Sequence, residues 1–461
     1  MAMGKRRNRE RQEGLWVASG SLVETPGHAF YDRLNEVLAE HRFDEHVEHL
    51  CSRYYKGPRG RPSIAPGVYF RALLVGYFEG LDGDRAIAWR IADSLSLRKF
   101  LGYGLDEATP DHSTISRTRR LYWLSTHQAV FQWVLKRLGE KGLVRGETIS
   151  IDATTLEANA ALRSIVRRDS EQGYEEYLKG LAKAAGIEEP TREQLARLDR
   201  KRKKKGSNDE WKHPNDPDAR ITKMKDGRTH LAYKAEHAVD LSSGALVAVT
   251  VQGADKGDTT TIFETLSAAE SAAEDLEGKL TAVVADKGYH SNDVLLKLSE
   301  RGVRSYVSEP HRGRRRWKGK EAEQKQVYAN RRRLRGRRNK GLQKKRAELG
   351  ERCHAHLYET GGMRRLYLRG QQNILKRLLI QGAGFNLALL LRSLLGVGKP
   401  RQMGALAALL ACLIPLDRRI RSLFAPLLCS IAPTTLTQLS QASPELSPAA
   451  RMTNPVSTTG C

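Results

Sequence analysis

The sequence predicts an α/β protein in which an all-helical N-terminal region precedes a mixed sheet flanked by helices. Residues 28–105 carry apolar side chains at helical spacing. Beyond residue 146, short apolar runs typical of buried strands alternate with helical segments. A hairpin signal comes first and helix–strand alternations follow, so the predicted sheet combines antiparallel and parallel strands.

The N-terminal region begins with the helical pattern of "FYDRLNEVLAEHRFDEHVEHLCSRYY". A Pro- and Gly-rich break, "GPRGRPSIAPG", separates it from two more predicted helices that meet at Gly80–Gly83. Thr109-Pro110-Asp111 is a start signal for a short helix. A longer helix is predicted from Thr126 to Lys141, where Gly142 ends it. We therefore expect residues 28–145 to form one helical domain.

The predicted sheet begins with the strand Thr148–Ala153. The segment "HLAYKAEHAVDLSSGALVAVTVQGA" predicts a hairpin that turns at Ser242–Gly244. A helix with Asp258 as its N-cap follows, and then the strand in "LTAVVADKGY". A second helix, capped by Ser291, leads to the last strand in "VRSYVSEP".

The remaining segments set the predicted domain limits. The sequence predicts an α/β domain over residues 146–400, with helical or basic inserts at about 157–228 and 311–346. Residues 1–27 are expected to be a disordered basic arm, because they are charged and lack an apolar pattern. Residues 401–461 are expected to be a helical tail with a disordered C-terminus.

The charge balance predicts a polyanionic partner. Lys plus Arg number 78 against 53 for Asp plus Glu, giving a formal net charge of +25 and a pI near 9.9. A membrane span is not indicated, because the apolar stretch from Met403 covers only about 13 residues, against about 20 for a span. The five scattered cysteines contain no CxxC pair, which favours a reduced, cytoplasmic location.

Two aspartates occupy similar positions in the predicted sheet. In "ETISIDATTLEANA" and "TAVVADKGYHS", Asp152 and Asp286 each follow a short apolar strand. If the strands are neighbours, the two carboxylates converge at one edge, and a divalent cation would remove their mutual repulsion. Carboxylate oxygens suit Mg²⁺ or Mn²⁺. Both residues are therefore candidate catalytic metal ligands, with a turn or capping role as the alternative for each.

A third carboxylate is needed if the site holds two metal ions. Two ions about 4 Å apart can activate a nucleophile and stabilise the leaving oxygen of a phosphoryl displacement. Glu359, near the start of the long C-terminal helical region, is the candidate for this third position. On spacing alone, Glu348 and Glu351 compete with it, because they lie one or two helical turns earlier.

Hydroxyl and basic residues in three segments suit contact with DNA. They lie on the short helix after Pro110, in the Arg- and Lys-rich residues 311–346, and around and beyond Glu359. A solvated basic face is the alternative for each segment. The candidate DNA-binding residues are Ser113, Thr114, Ser116, Arg117, Arg119, Arg120, Arg314, Arg315, Arg316, Arg331, Arg332, Arg333, Arg364, Arg365, Arg369 and Lys376.

These motifs together resemble those of DDE transposases from bacterial insertion sequences. The resemblance rests on "SIDATTLEANA", "ADKGYHS" and "YETGGMRRLYLRGQQNILKRLLIQGAGFNLALLL", and on "PDHSTISRTRR" in the helical N-terminal region. It implies an RNase H-like core in which Asp152, Asp286 and Glu359 bind two Mg²⁺ or Mn²⁺ ions. The chain departs from many relatives around the third acid, where Arg352, Ala355 and Leu366 replace a Tyr, an Arg and a Lys.

The resemblance predicts an enzyme that binds terminal inverted repeats, hydrolyses the phosphodiester at each element end and transfers the freed 3′-hydroxyl into target DNA. A homodimer or larger assembly on DNA, in the bacterial cytoplasm and associated with the nucleoid, is expected, with no membrane and no small-molecule substrate. One alternative is an RNase H-like nuclease that cuts without strand transfer. The other is a non-enzymatic DNA-binding regulator.

Overall fold

A computed structural model of the protein describes residues 28–55, 63–104, 106–202, 207–224, 226–311, 313, 315–400 and 402. The chain divides into two compact units, Met1–Gly404 and Ala405–Cys461. The second unit lies outside the described residues. So do the predicted N-terminal arm, all but Gln402 of the predicted tail, and the apolar stretch from Met403.

Seven α-helices form the N-terminal part of the described residues, in agreement with the helical spacing of the apolar side chains. The short helix after Pro110 begins where the sequence places it, because the Asp111 side chain accepts a hydrogen bond from the Thr114 N–H over 2.8 Å. The helices are α1 (His28–Glu40), α2 (Phe43–Cys51), α3 (Pro66–Glu79), α4 (Asp84–Asp93), α5 (Leu95–Leu101), α6 (His112–Leu121) and α7 (Leu124–Glu140).

A mixed sheet follows, and its connectivity places the first strand in the middle. Its strands are β1 (Thr148–Glu157), β4 (Arg220–Lys223), β5 (Thr229–Asp240), β6 (Leu246–Gly253), β7 (Ala282–Ala285) and β8 (Arg304–Val307). Strand β1 pairs antiparallel with β5 on one side and parallel with β7 on the other. Strand β5 also pairs antiparallel with β4 and β6, and β7 pairs parallel with β8.

The segment between β1 and β5 is folded wherever it is described. It contains a two-stranded ribbon and two helices, and the helices pack against each other through Leu178, Ala182 and Leu195. The predicted excursion at 157–228 is therefore structured over most of its length. Its elements are β2 (Val166–Arg167), α8 (Tyr174–Ala184), α9 (Arg192–Lys201) and β3 (Trp211–Lys212).

Helices flank the sheet. Helix α10 begins at Asp258, so its N-cap is Gly257, one residue before the predicted cap. Residues 311–346, predicted as a basic insert, contribute most of two consecutive helices. The elements are α10 (Asp258–Asp275), α11 (Asn292–Glu300), α12 (Glu321–Arg335), α13 (Arg337–His354) and α14 (Gln371–Leu395). The predicted fold class, a mixed sheet flanked by helices after a helical N-terminal region, is confirmed.

Helix α14 joins the N-terminal helices to the sheet. It packs against α3, α7 and β6, and a single apolar core runs from Phe30 in α1 to Leu391 in α14. By length and composition α14 could cross a membrane, but 72% of its apolar window is buried inside the protein. It is therefore a central packing helix, and its burial explains its apolar sequence.

Candidate active site and DNA interface

Asp152 and Asp286 lie side by side at one edge of the sheet. Strands β1 and β7 are parallel, and their last paired residues are Ile151 and Ala285. Each aspartate is the next residue after that pair. Asp286 follows the end of β7 and Asp152 lies within the longer β1, so the two carboxylates are at the same level on neighbouring chains of the sheet. The predicted convergence of the two aspartates is thus present, and both side chains are partly exposed.

The backbone after β7 holds Asp286 toward this edge. Its carboxylate accepts a hydrogen bond from the Gly288 N–H over 2.8 Å, which caps a short 3₁₀ turn at residues 287–289. A β-carbon on Gly288 would lie 2.6 Å from an Asp258 carboxylate oxygen and 3.1 Å from one of Asp286. A side chain at this position would displace the Asp258 carboxylate, so glycine allows both carboxylates to lie against the turn.

A cleft opens at this edge, and its acidic residues come from four separate elements. Besides Asp152 and Asp286, it contains Asp258 from the first turn of α10 and Glu351 from α13. We call this the catalytic cleft, and its volume is about 430 Å³. Its lining residues are Asp152, Ala153, Thr154, Thr155, Lys234, Asp258, Asp286, Arg346, Ala347 and Glu351.

Two cations balance part of this negative charge. The Lys234 ammonium, on β5, donates to an Asp258 carboxylate oxygen over 2.8 Å and lies 3.7 Å from Glu236. The Arg346 guanidinium, on α13, lies 3.5 Å from an Asp152 carboxylate oxygen. No local signal in the sequence marks Asp258 or Lys234 as cleft residues. The alternating pattern of β5 does not distinguish a cleft lysine from a solvent-facing one.

Glu359, predicted as the third acid, is not among the residues that line the catalytic cleft. It ends a short π-helical segment, Ala355–Glu359, and its side chain is 58% exposed. The Arg364 guanidinium donates to the Glu359 carboxylate over 3.0 Å and to the Thr154 hydroxyl over 3.0 Å. The helix that precedes it brings Glu351 to the cleft instead, one of the two alternatives left open by spacing.

A buried carboxylate next to the cleft, that of Glu236, links the elements that form it. Glu236 on β5 is fully buried and accepts hydrogen bonds from the hydroxyls of Thr261, Thr265 and Tyr289, over 2.9, 2.5 and 2.9 Å. Burial raises the pKa of the Glu236 carboxyl above its ordinary value. Tyr289 belongs to the turn that carries Asp286, so this network ties that turn to β5 and α10.

The donor chemistry of the cleft suits a hard divalent cation. Asp152, Asp286, Asp258 and Glu351 offer carboxylate oxygens, the ligands that Mg²⁺ and Mn²⁺ prefer. Within the part of the chain that the structure describes, no three acidic, histidine or cysteine side chains are gathered closely enough to coordinate an ion as they stand. The residue types therefore fit a metal, and side-chain rotation would be needed to close the site.

The predicted DNA-binding residues on α6 divide between its surface and its buried face. Arg117 and Arg120 are exposed, and Ser113, Thr114 and Ser116 are partly exposed. Arg119, by contrast, is 3% exposed and forms an ion pair with Asp84 of α4. The prediction of Arg119 as a DNA contact is wrong in this structure, because its guanidinium is used inside the protein.

Lys376 is also buried, which corrects its prediction as a DNA contact. It is 6% exposed, and its ammonium donates to the Arg119 carbonyl over 3.1 Å. Next to it, Arg377 is 2% exposed and donates to the Leu81 carbonyl over 3.0 Å. Burial lowers the pKa of Arg377 to about 10. These cations join α14 to the N-terminal helices.

The basic segment 311–346 is partly occupied by internal contacts. The Arg331 guanidinium pairs with Glu309 at 2.7 Å, and Arg315 pairs with the same carboxylate at 2.6 Å. Arg333 donates to the Ser305 carbonyl over 2.8 Å. Arg316 and Arg332 are exposed, and Arg314 lies outside the described residues. The exposed face of α12 and α13 remains basic, with the further cations Arg335, Arg337, Arg338, Lys340, Lys344 and Lys345.

The last predicted group surrounds the end of β1. Arg364, Arg365 and Arg369 are exposed. The Arg365 guanidinium lies 4.0 Å from the Glu157 carboxylate, and Arg369 donates to the Asn159 carbonyl over 3.1 Å. All three arginines therefore lie close to β1 or to the residues that follow it. Strand β1 is also the strand that carries Asp152.

Comparison with known families identifies both parts of the chain. Residues 20–121 match the model of a Transposase domain (DUF772), and residues 147–445 match that of a Transposase DDE domain. No curated protein and no solved structure gave a match. Proteins with the DDE domain act on DNA and, in general, use divalent metals to cut and join it. Because this second match spans well over half of the chain, the protein belongs to the DDE transposases of insertion sequences.

Proposed function

We propose that the protein binds the inverted repeats at the ends of its element, hydrolyses the phosphodiester at each end and joins the freed 3′-hydroxyl to target DNA. The observation that carries this proposal is the placement of Asp152 and Asp286 on neighbouring parallel strands, in one cleft with Glu351. Carboxylates at such a position suit phosphodiester chemistry, because phosphoryl transfer generates charge on oxygen that a nearby cation stabilises.

We assign Asp152, Asp286 and Glu351 as the ligands of two Mg²⁺ or Mn²⁺ ions, with Glu351 taking the role first predicted for Glu359. When bound, the metals would supply Lewis acidity and an activated water. The lining of the cleft supports the choice of Glu351, because Glu359 is not part of it and is paired with Arg364. Asp258 is balanced by Lys234, so it is the least available of the four acids.

The cations of the cleft have separate tasks in this proposal. Lys234 holds Asp258 and the first turn of α10 beside Asp286. Arg346 lies 3.5 Å from Asp152, and it would turn to a DNA phosphate once a metal neutralises that carboxylate. Tyr289 and Glu236 keep the Asp286 turn in place through their 2.9 Å hydrogen bond.

DNA-end recognition is assigned to α6 and the exposed basic faces. Arg117 and Arg120, with the partly exposed Ser113, Thr114 and Ser116, present donors that suit phosphates and base edges. The basic face of α12 and α13 would hold further backbone phosphates and give binding a strong salt dependence. Two ends have to be held together for joining, so the active form is a homodimer or larger assembly on the bacterial nucleoid.

A strand-transfer assay tests the proposal. The purified full chain is incubated with a duplex that ends in the inverted repeat flanking its gene, either intact or pre-cut, and with supercoiled plasmid. With Mg²⁺ present, intact ends should be cut and pre-cut ends joined to the plasmid. Chelation of the metal and the Asp286→Asn variant should each abolish both products. Cutting without joined product would indicate the nuclease alternative, and unchanged activity of Asp286→Asn would exclude the assigned site.

A further inference from the structure

A second groove lies between the end of β1 and α6, along residues 365–373, which follow the predicted third acid. Two adjoining cavities of about 430 and 520 Å³ share Asn159 and Arg369 in their linings. The first reaches His230 and Arg365 beside the end of β1, and the second reaches Ser116 and Arg120 on α6. We call the two together the strand groove.

The strand groove connects with the catalytic cleft through one side chain. Arg364 immediately precedes the groove residue Arg365, and its guanidinium donates to Thr154, which lines the cleft. The groove therefore lies next to the cleft at this point of β1, and its other end reaches α6.

The charge of the groove suits a phosphate backbone. Its lining includes the exposed cations Arg120, Arg365 and Arg369, and the only acid in that lining is Glu157. Arg365, at 4.0 Å, and His230, at 3.8 Å, lie beside the Glu157 carboxylate. The groove surface is therefore net positive, as a site that follows a nucleic-acid backbone requires.

Tyr367 stands in this groove with its ring uncovered. It is 53% exposed, although its neighbours Leu366 and Leu368 are buried and partly buried. Its backbone is fixed, because the Tyr367 carbonyl accepts from the Asn159 side chain over 3.1 Å and the Leu366 N–H donates to the Glu157 carbonyl over 2.9 Å. The ring of Tyr367 is therefore held at a fixed position among arginines, where about half of its surface is open to a ligand.

We propose that the strand groove binds unpaired nucleotides next to the cut, with Tyr367 as the platform on which one base stacks. The cavity sizes lie within the range of about 300–1,000 Å³ for sites that enclose small molecules, so they suit one or two nucleotides better than a duplex. Stacking on an aromatic ring is independent of sequence, because every base has a π-face. The inference rests on the proposed function, which identifies the bound DNA as the element end. The two strands of that end have to separate locally before unpaired nucleotides can enter the strand groove.

The test measures binding separately from chemistry. Without added metal, the full chain is titrated into a short fluorescein-labelled single strand and into a blunt duplex of the same sequence. Tyr367→Ala should weaken single-strand binding by about 5- to 150-fold, the range for loss of one stacked base. It should leave duplex binding within about two-fold. Tyr367→Phe, which keeps the ring, should bind like the wild type.

A matched control and a spectroscopic readout make the result specific. Trp89→Ala removes an aromatic side chain that is 68% exposed on α4 and does not line the groove, so the ratio of single-strand to duplex affinity should not change. An unpaired 2-aminopurine in the single strand should lose fluorescence on the wild-type protein and keep it on Tyr367→Ala.

Equal weakening of duplex and single-strand binding by Tyr367→Ala would overturn the proposal, as would failure of Tyr367→Phe to restore binding or an unchanged 2-aminopurine signal on the wild type. These binding results do not depend on cleavage. If the protein gives the expected binding results but neither cuts nor joins DNA, the proposed function is contradicted and the strand-groove proposal is still supported.

Discussion

Two clusters of charged side chains in this protein look alike in the sequence and differ in their environments. The catalytic cleft gathers Asp152, Asp286 and Glu351 where the side chains are at least partly exposed. The second cluster, which we call the interface cluster, consists of Asp84, Arg119, Lys376, Arg377 and His127. Apart from Asp84, whose side chain is 14% exposed, its members are almost fully buried between α14 and the N-terminal helices.

The difference lies in what satisfies the charges. In the interface cluster, Lys376 and Arg377 donate to main-chain carbonyls, and Arg119 pairs with Asp84. Gly76 leaves room for this arrangement, because a β-carbon there would lie 2.4 Å from the Arg377 guanidinium. In the cleft, several acids share two cations. Charges satisfied inside the protein stabilise its fold, whereas a surplus of acids at an open edge leaves carboxylate oxygens that can accept a cation from solution.

The largest expected effect is in the cleft. Asp152→Ala should lower the rate of DNA cleavage by more than about 10³-fold, because it removes one of the proposed metal ligands and with it several kcal/mol of transition-state stabilisation. Thermal unfolding should be nearly unchanged, since the side chain is partly exposed and carries no core packing. Gel analysis of cleaved ends and a melting curve measure the two. If Asp152→Ala folds and still cuts DNA, the cleft is not the catalytic site, and its contrast with the interface cluster no longer holds.

The interface cluster should respond in the opposite way. Arg119→Met leaves the mostly buried Asp84 carboxylate without its ion-pair partner, and breaking a buried pair costs about 3–4 kcal/mol of unfolding free energy. Urea denaturation measures this loss. Arg120→Met, on the exposed face of the same helix, is the matched control and should change stability by less than about 0.5 kcal/mol. Equal stabilities of the two variants would contradict the structural role of Arg119.

The two candidates for the third acid give a sharper contrast. Glu351→Gln should reduce cleavage by about 100-fold, because it weakens the binding of a cation in the cleft. Glu359→Gln should reduce it by less than about five-fold, since it removes only a contact with Arg364 on an exposed side chain. Cleavage at a series of Mn²⁺ concentrations measures both. The reverse order would restore Glu359 as the metal ligand.

The smallest expected effect is the pH dependence of stability, and it should come from the interface cluster. Burial, with nearby Lys376 and Arg119, lowers the pKa of His127 from 6.5 to about 3. Between these values the unfolded chain takes up a proton that the folded chain does not. The contribution of His127 should therefore fall by up to about 1.4 kcal/mol per unit as the pH drops below 6.5.

Urea titrations between pH 7 and pH 5 measure this slope. His127→Gln should make it shallower, whereas His112→Gln, an exposed histidine at the start of α6, should leave it unchanged. An identical slope in the wild type and His127→Gln would show that His127 does not contribute.

The sequence predicts the elements of the sheet well, because each has a strong local signal. The apolar runs before Asp152 and Asp286, the hairpin turn near Gly244 and the Ser291 cap all appear at the expected positions. Strand β1 continues to Glu157, past its predicted end, and residues 153–157 pair there with residues 232–236 of β5. Cross-strand pairing is a tertiary effect that no local pattern contains.

The sequence alone determined the fold class, the two aspartates that follow short apolar runs and a strongly basic chain, since periodicity and charge are local properties. Only the tertiary structure decided which cations face solvent and which acid completes the cleft. Arg119 and Arg120 are adjacent in sequence, yet α4 and α14 bury the first and leave the second exposed. In the same way, the packing of α13 on the sheet brings Glu351 to Asp152 and leaves Glu359 outside the cleft lining. Burial depends on neighbours distant in the chain, and a single sequence does not state which they are.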